Sequence, residues 1–442
     1  MRCRLALLAM LLAGPLFAAP SGAATYDPGA AFTSVWTRAD ALKIQRDPTN
    51  TKPRIPEQFP VMSNEVWVWD TWPLTSLDTT PVSYRGWHVI FSLVAPRTVG
   101  FPERHTIATI GYFYSRDGRS WEYGGTIFPR GTGLGSRQWA GSAALIGDQV
   151  NLFYTASGAD DPVVNDPNDV EQRLAHATAR IRADENGVWF AGQQFRDSRI
   201  IAEPEGRLYQ TEAQSTGGPI IYAFRDPFVF RDPADDQVYL LFEGNTAGQA
   251  GSHTCGPREI GPVPPGHSVP AEARWYTGNI GLARARAANL RRWELLPPLL
   301  SANCVNQQTE RPHLVIQDGA YHLFTISHEG TFAPGVTGPD GLYGFVGDSL
   351  RSDYEPLNAS ALVLGNPVEA PKQQYSEYVM PNWLVESFIE TIPLAGGGER
   401  FGGSLAPTLR IQVEGQNTYL VEQLPYGFIP AMRDVGGSAA GR

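Results

Sequence analysis

Three acidic residues stand in strings where a carboxylate has no evident structural job. Asp70 closes the run Val66-Trp67-Val68-Trp69 and is followed by Thr71-Trp72-Pro73, so it sits between two indoles at the end of an alternating strand. Asp226 lies in Phe224-Arg225-Asp226-Pro227-Phe228, and Glu310 in Thr309-Glu310-Arg311-Pro312-His313, ahead of the apolar run Leu314-Val315-Ile316. Carboxyl groups of this kind suit glycosyl transfer with retention. One attacks the anomeric carbon, and a second, about 5–5.5 Å away, protonates the leaving oxygen and later deprotonates the acceptor. Asp70 is the candidate nucleophile, which must be ionised and so needs donors around it. Glu310 is the candidate acid/base, which needs its pKa lifted towards about 6 by burial and a neighbouring carboxylate. Arg225 could donate two bonds to sugar hydroxyls, and Asp226 could bind a hydroxyl pair.

Each residue also has a plain reading. Asp70 could cap a turn, and Glu310 could pair with Arg311 on the surface. A second Arg-Asp-Pro at Arg231-Asp232-Pro233 runs into Ala-Asp-Asp and reads as a hairpin turn. Competing chemistry is poorly supported. The glycine-rich run 131–136 lacks the Gly-Lys-Ser/Thr ending of a phosphate loop, the eight histidines show no metal-ligand spacing, and no Gly-x-Ser-x-Gly elbow occurs. Neither a metal nor a cofactor is expected.

The elements that must hold these residues are strands. Alternation of period two marks Trp87-His88-Val89-Ile90-Phe91, Gln149 to Tyr154, Val238 to Phe242 and Tyr321 to Thr325, each after a turn signal such as Arg-Gly, Gly-Asp or Asp-Gly. With 46 Gly, 36 Pro and 11 Trp in 442 residues, the chain suits short strands and turns rather than a helical bundle. The recurring strand shape suggests a β-propeller, whose radial sheets leave a central funnel. One amphipathic helix is expected over 31–45. No linker or composition break follows residue 25, so one domain is expected. The long Gly/Pro-rich stretch over 246–277 should be functional or tied down.

Charge and the N-terminus bound the setting. A net charge of −10 disfavours nucleic acid and anionic membrane surfaces as partners, whereas a neutral sugar is indifferent to it. Arg2 and Arg4, the apolar run from Leu5 to Phe17 and the small residues to Ala24 form a secretory signal over 1–24, cleaved after Ala24 or nearer Ala18. No later segment is long and apolar enough to span a bilayer. Of the cysteines left after cleavage, Cys255 and Cys304 read as a disulfide contributing about 3–4 kcal/mol, with two free buried thiols as the other reading.

Taken together, the strings around Asp70, Gln138-Trp139-Ala140-Gly141-Ser142-Ala143, Phe-Arg-Asp-Pro, Phe242-Glu243-Gly244-Asn245-Thr246, Thr-Glu-Arg-Pro and Gln374-Tyr375-Ser376 resemble glycoside hydrolase family 68. These are the levansucrases, inulosucrases and related β-fructofuranosidases. The resemblance runs from about Val66 to Ile429. It implies a single-domain five-bladed β-propeller over 25–442 with a funnel-shaped pocket, cleaving sucrose and passing the fructosyl unit to levan, fructo-oligosaccharides or water. It implies Asp70 as nucleophile, Asp226 as transition-state stabiliser and Glu310 as acid/base. Trp69, Trp139, Ser142 and Arg225 match fructosyl-subsite positions. Gln308, His328 and Tyr375 match the glucosyl or acceptor side, with Tyr375 bonding within the carboxylate network. His328, where Gram-positive relatives carry Arg, and the Cys255/Cys304 pair imply the Gram-negative subgroup, without a structural metal. A monomer is expected. Glu377 stands where many relatives carry His, and near an acceptor path its charge would alter the products. An exo-hydrolase on the same fold is the near alternative, and a non-catalytic sugar-binding propeller the distant one.

Overall fold

The computed structural model describes residues 32–128, 132–159, 169–193 and 195–436. The expected signal segment 1–24 and part of the glycine-rich run lie outside them. The described chain is all-β: short helical turns interrupt strands that form four hydrogen-bonded sheets, one of them eleven-stranded. No described helix is long and apolar enough to cross a membrane.

Five antiparallel meanders repeat along the chain. They open with the strands Val66–Thr75, Arg137–Ile146, Phe224–Arg231, Glu310–Gln317 and Gln374–Val379. Four of the opening strands pair with the next strand in the chain, while Val66–Thr75 pairs with Trp87–Pro96 beyond the short strand Val82–Tyr84. The meander continues outwards, as in Phe224–Arg231, Val238–Asn245, Gly278–Ala285 and Trp293–Ser301. The five opening strands touch one another in sequence, and the fifth touches the first. The first and second are also joined by a short parallel pairing, Leu74 with Ala143 and Thr75 with Ala144, which merges two meanders into the eleven-stranded sheet.

The turn signals fold as their chemistry dictates. Arg85-Gly86 and Asp318-Gly319 each form a two-residue hairpin loop with φ positive at both positions (54° and 75°, 52° and 81°). That geometry matches the right-handed twist of the flanking strands. At Gly147-Asp148 only the glycine is positive, at 60°. Aromatic and β-branched side chains of the strands fill a continuous core in which Trp36, Trp69 and Trp72 are fully buried.

The helix expected over 31–45 is reduced to one turn, Arg38–Ala41, capped by the Thr37 hydroxyl on the Asp40 amide. Ser34–Val35 instead pairs in parallel with Trp293–Ser301. Trp36 lies among Phe332, Tyr343 and Phe345, while Arg38 donates to the Cys304 carbonyl at 2.8 Å. Burial on several sides and strand pairing override a one-face helical pattern. Cys255 and Cys304 are disulfide-bonded with Cα atoms 5.9 Å apart, tying the long 246–277 connection to the rest of the chain.

Candidate active site

Each opening strand breaks its ladder at the same place. The register shifts fall at Trp69/Thr71, Trp139/Gly141, Arg225/Phe228, Glu310/His313 and Tyr375/Tyr378. At four of the five, a non-glycine residue takes positive φ: Asp70 (44°), Asp226 (60°), Arg311 (45°) and Ser376 (65°). A left-handed residue in a bulge re-aims the side chains around it, and such strain persists where surrounding structure holds it. Here the bulges turn side chains from all five strands towards one cavity of ≈ 250 Å³, lined by Trp69, Asp70, Trp139, Arg225, Asp226, Gln308, Glu310, His328 and Tyr375.

The carboxylates are held differently. Glu310 accepts from Arg225 Nη2 at 3.0 Å and from the Tyr375 hydroxyl. Burial pushes its carboxyl up, but Arg225, the nearby His328 charge and the Tyr375 bond outweigh this and hold it below its usual range. That reverses the expectation of a raised Glu310. The physical reason is the crowd of donors and cations around it, which favours the anion. Asp226 accepts the Arg311 amide at 3.1 Å, while its own amide donates to the Thr155 hydroxyl at 2.8 Å. Burial lifts its carboxyl to about 7 against the pull of Arg225, with the charges of Glu310 and Asp70 adding to the rise. Asp70 is also raised, since burial exceeds the effect of Arg311 and of the Ser376 hydroxyl bonded to it.

Two arginines frame this cluster. Arg225 spans Glu243 and Glu310, its Nε lying 2.7 Å from Glu243 Oε2. Arg311 is not a surface partner of Glu310. It is buried, donating to the Ser376 carbonyl at 2.9 Å and to the Thr71 carbonyl at 2.5 Å, so it links three opening strands. At the rim, the His328 ring stacks on Tyr375, with centroids 3.6 Å apart and planes 12° apart, and bonds Asp340 at 2.9 Å. The Asp340 bond and the charges of Glu310, Asp340 and Glu390 raise His328 to about 9 despite its burial.

One expected site residue lies elsewhere. Ser142 does not line the cavity: its hydroxyl donates to the Pro227 carbonyl at 2.7 Å and accepts the Val229 amide at 3.0 Å, stapling the second opening strand to the third. Glu377 is also off any acceptor path, since it is fully buried against Lys52. The sequence reading missed Arg104, His105, Arg311 and Glu390 among the lining residues, and Glu243 behind Arg225. Arg311 and Glu243 stand inside quoted strings and were reachable there. Arg104, His105 and Glu390 lie in unremarkable sequence, brought in only by the fold. His328, Asp340 and Glu390 offer ligand atoms within 4.8 Å of one another, but His328 Nδ1 and the Asp340 carboxylate are engaged with each other.

A pocket of carboxylates, arginines and indoles inside a ring of antiparallel sheets defines a carbohydrate-active enzyme of the glycosidase type. The chain belongs to the Levansucrase/Invertase family, glycoside hydrolase family 68, which it matches over residues 25–430. It is 45% identical over 436 residues to a levansucrase of Pseudomonas savastanoi pv. glycinea, covering 94% of this chain and 96% of that one. An extracellular sucrase of Zymomonas mobilis is 45% identical over 405 residues, 90% of this chain and 95% of that one. Among solved structures, an inulosucrase from Halalkalicoccus jeotgali bound to kestose superposes with a TM-score of 0.81 at 41% identity, covering 90% of this chain and 98% of that one.

Proposed function

We propose that the chain is a sucrose-cleaving, retaining fructosyltransferase of the levansucrase type. The observation that carries this is the convergence of Asp70, Asp226 and Glu310, from three separate meanders, on one cavity. Asp70 attacks C2 of the fructosyl unit as Glu310 protonates the glycosidic oxygen, and glucose leaves. Asp226 balances the charge that develops on the fructosyl ring. An acceptor hydroxyl, deprotonated by Glu310, then opens the fructosyl ester on Asp70.

The proton that Glu310 needs comes from Asp226, whose carboxyl burial lifts to about 7. A fructosyl unit donating hydroxyl hydrogen bonds to Asp226 stabilises that anion and lets Glu310 take the proton. Trp69, Trp139 and Arg225 form the fructosyl side in this reading, and Gln308, His328 and Tyr375 the acceptor side.

The five meanders read as blades of one β-propeller domain over 25–442, which the cyclic order of their opening strands supports. Export follows the signal segment 1–24, consistent with an extracellular relative, and the Pseudomonas relative supports a Gram-negative source. The enzyme acts as a monomer in this reading. Incubation with concentrated sucrose tests the function: glucose well above free fructose means transfer, and methylation analysis of the polymer reports β-2,6 or β-2,1 linkage. Equal glucose and fructose assigns an invertase on the same fold. Absence of glucose sinks the proposal.

A further inference from the structure

A buried charge pair, used by no step of the transfer, stands behind the site. Residues 50–52 run along the strand Leu362–Gly365: the Lys52 amide donates to the Gly365 carbonyl at 2.9 Å, and the Gly365 amide to the Asn50 carbonyl at 2.8 Å. Gln373 stitches the same segment to the fifth meander, accepting the Ile55 amide at 2.9 Å and donating to the Pro53 carbonyl at 2.8 Å. This places Lys52 in the interior with no exposed side-chain surface, its ammonium donating to Glu377 Oε1.

Glu377 is the third of three consecutive residues with distinct duties. Tyr375 donates its hydroxyl to Glu310. The Ser376 hydroxyl bonds Asp70 and accepts from Arg311. Ser376 and Glu377 together oppose the single residue Ser387, so they are the bulge of the fifth opening strand, with Ser376 left-handed. A bulge has lost its ladder bonds and needs another anchor. The pair with Lys52 supplies one. The Lys52 charge also helps to hold the Asp340 carboxyl low, together with the larger effect of His328, against the upward push of burial. It therefore reaches the rim as well as the floor.

The geometry points to Lys52 as a positioning residue: its pair with Glu377 fixes the Ser376–Glu377 bulge, so that Tyr375 and Ser376 address Glu310 and Asp70 together. This rests on the fructosyl-transfer reading of the site. A fully buried ion pair is a poor stabiliser, because desolvation of both charges offsets their attraction and an apolar pair serves the fold as well or better. What an apolar pair lacks is the directional bond that sets the bulge.

The test uses the full chain with sucrose and compares wild type with Lys52→Met, Glu377→Gln and the double variant Lys52→Met/Glu377→Leu. Glu377→Gln keeps the shape and one hydrogen bond, which guards against simple unfolding. Expected is a loss of kcat for glucose release of tenfold or more in Lys52→Met and in the double variant, with KM within twofold, while Glu377→Gln, which keeps the directional bond, stays within threefold of wild type. The double variant should recover the wild-type melting temperature while its kcat stays low. A Lys52→Met or double variant with wild-type melting temperature and a kcat within twofold of wild type overturns the proposal, as does a loss that falls on KM instead. A wild type that releases no glucose removes the transfer reading, and this proposal with it. An active wild type beside unaffected variants removes the proposal alone.

Discussion

The floor and the rim of the cavity are built on opposite plans. At the floor, Asp70, Asp226 and the Arg311 backbone sit in left-handed bulges, and Arg311 is bonded to the Thr71 and Ser376 carbonyls, so backbone and side chain hold each other. At the rim, Glu390 on the strand Leu384–Pro393 and His328 and Arg104 on two separate connections meet through side chains alone; the Arg104–Glu390 pair is 3.7 Å apart and His328 is about one-third exposed. A floor of this kind is pre-organised for one reacting carbon, with little left to rearrange during the reaction. A rim of this kind meets whatever acceptor arrives. On the proposed reading, the floor fixes how the fructosyl unit is taken and the rim leaves its destination to weaker contacts.

Disrupting the floor should therefore cost far more than disrupting the rim. Asp70→Asn removes the proposed nucleophile and should lower kcat for glucose release on the order of 10⁴-fold or more, with sucrose binding retained; steady-state kinetics and calorimetry check both. Arg311→Met leaves the Ser376 carbonyl and hydroxyl and the Thr71 carbonyl without their guanidinium donor, while the backbone amide that Asp226 accepts remains. It should lower kcat on the order of 10²-fold through misplacement and stability by about 3–5 kcal/mol, read by denaturant unfolding.

The proton shared by the floor carboxylates gives a pH signature. With Asp226 raised to about 7, the free enzyme keeps that proton below pH 7 and loses it above. Hence kcat/KM for sucrose should fall about tenfold per unit as pH climbs beyond 7. A flat profile to pH 9 breaks the assignment.

Rim changes should redirect products more than they slow the first step. His328→Ala should reduce glucose release by no more than about tenfold, the worth of one good hydrogen bond. It should shift the ratio of transfer to hydrolysis several-fold, read by product analysis. Smallest of all for catalysis is Cys255→Ser with Cys304→Ser. Here stability should drop by about 3–4 kcal/mol while kcat stays unchanged.

Much of this was readable before the fold was seen, because the floor is encoded locally. Asp70, Asp226 and Glu310 each sit in a string that also carries the strand and bulge positioning them, and the turn dipeptides fold into the expected hairpins. The rim is not local. Arg104 and Glu390 meet only because a connection and a strand far apart in the chain converge, and no spacing in the sequence announces that. Ser142 and Glu377 misled for a related reason: a polar residue beside a site string can serve a neighbouring backbone or a buried lysine as readily as a ligand. The expected helix over 31–45 failed because strand pairing and burial of Trp36 and Arg38 outweighed an amphipathic pattern.

The N-terminal segment has a consequence for how the molecule is made. Val35 pairs with Ser301, Asn50 to Lys52 with Gly365, and Lys52 with Glu377, so the first described residues are completed by residues 266 to 325 positions further on. Such long-range closure cannot form while the chain is still emerging, and topologies dominated by distant contacts fold late and slowly. Maturation of the pocket thus awaits release of nearly the whole polypeptide. A chain cut short before Glu377 would carry four of the five bulges in vain, with Asp70, Asp226 and Glu310 all synthesised and no working enzyme among them.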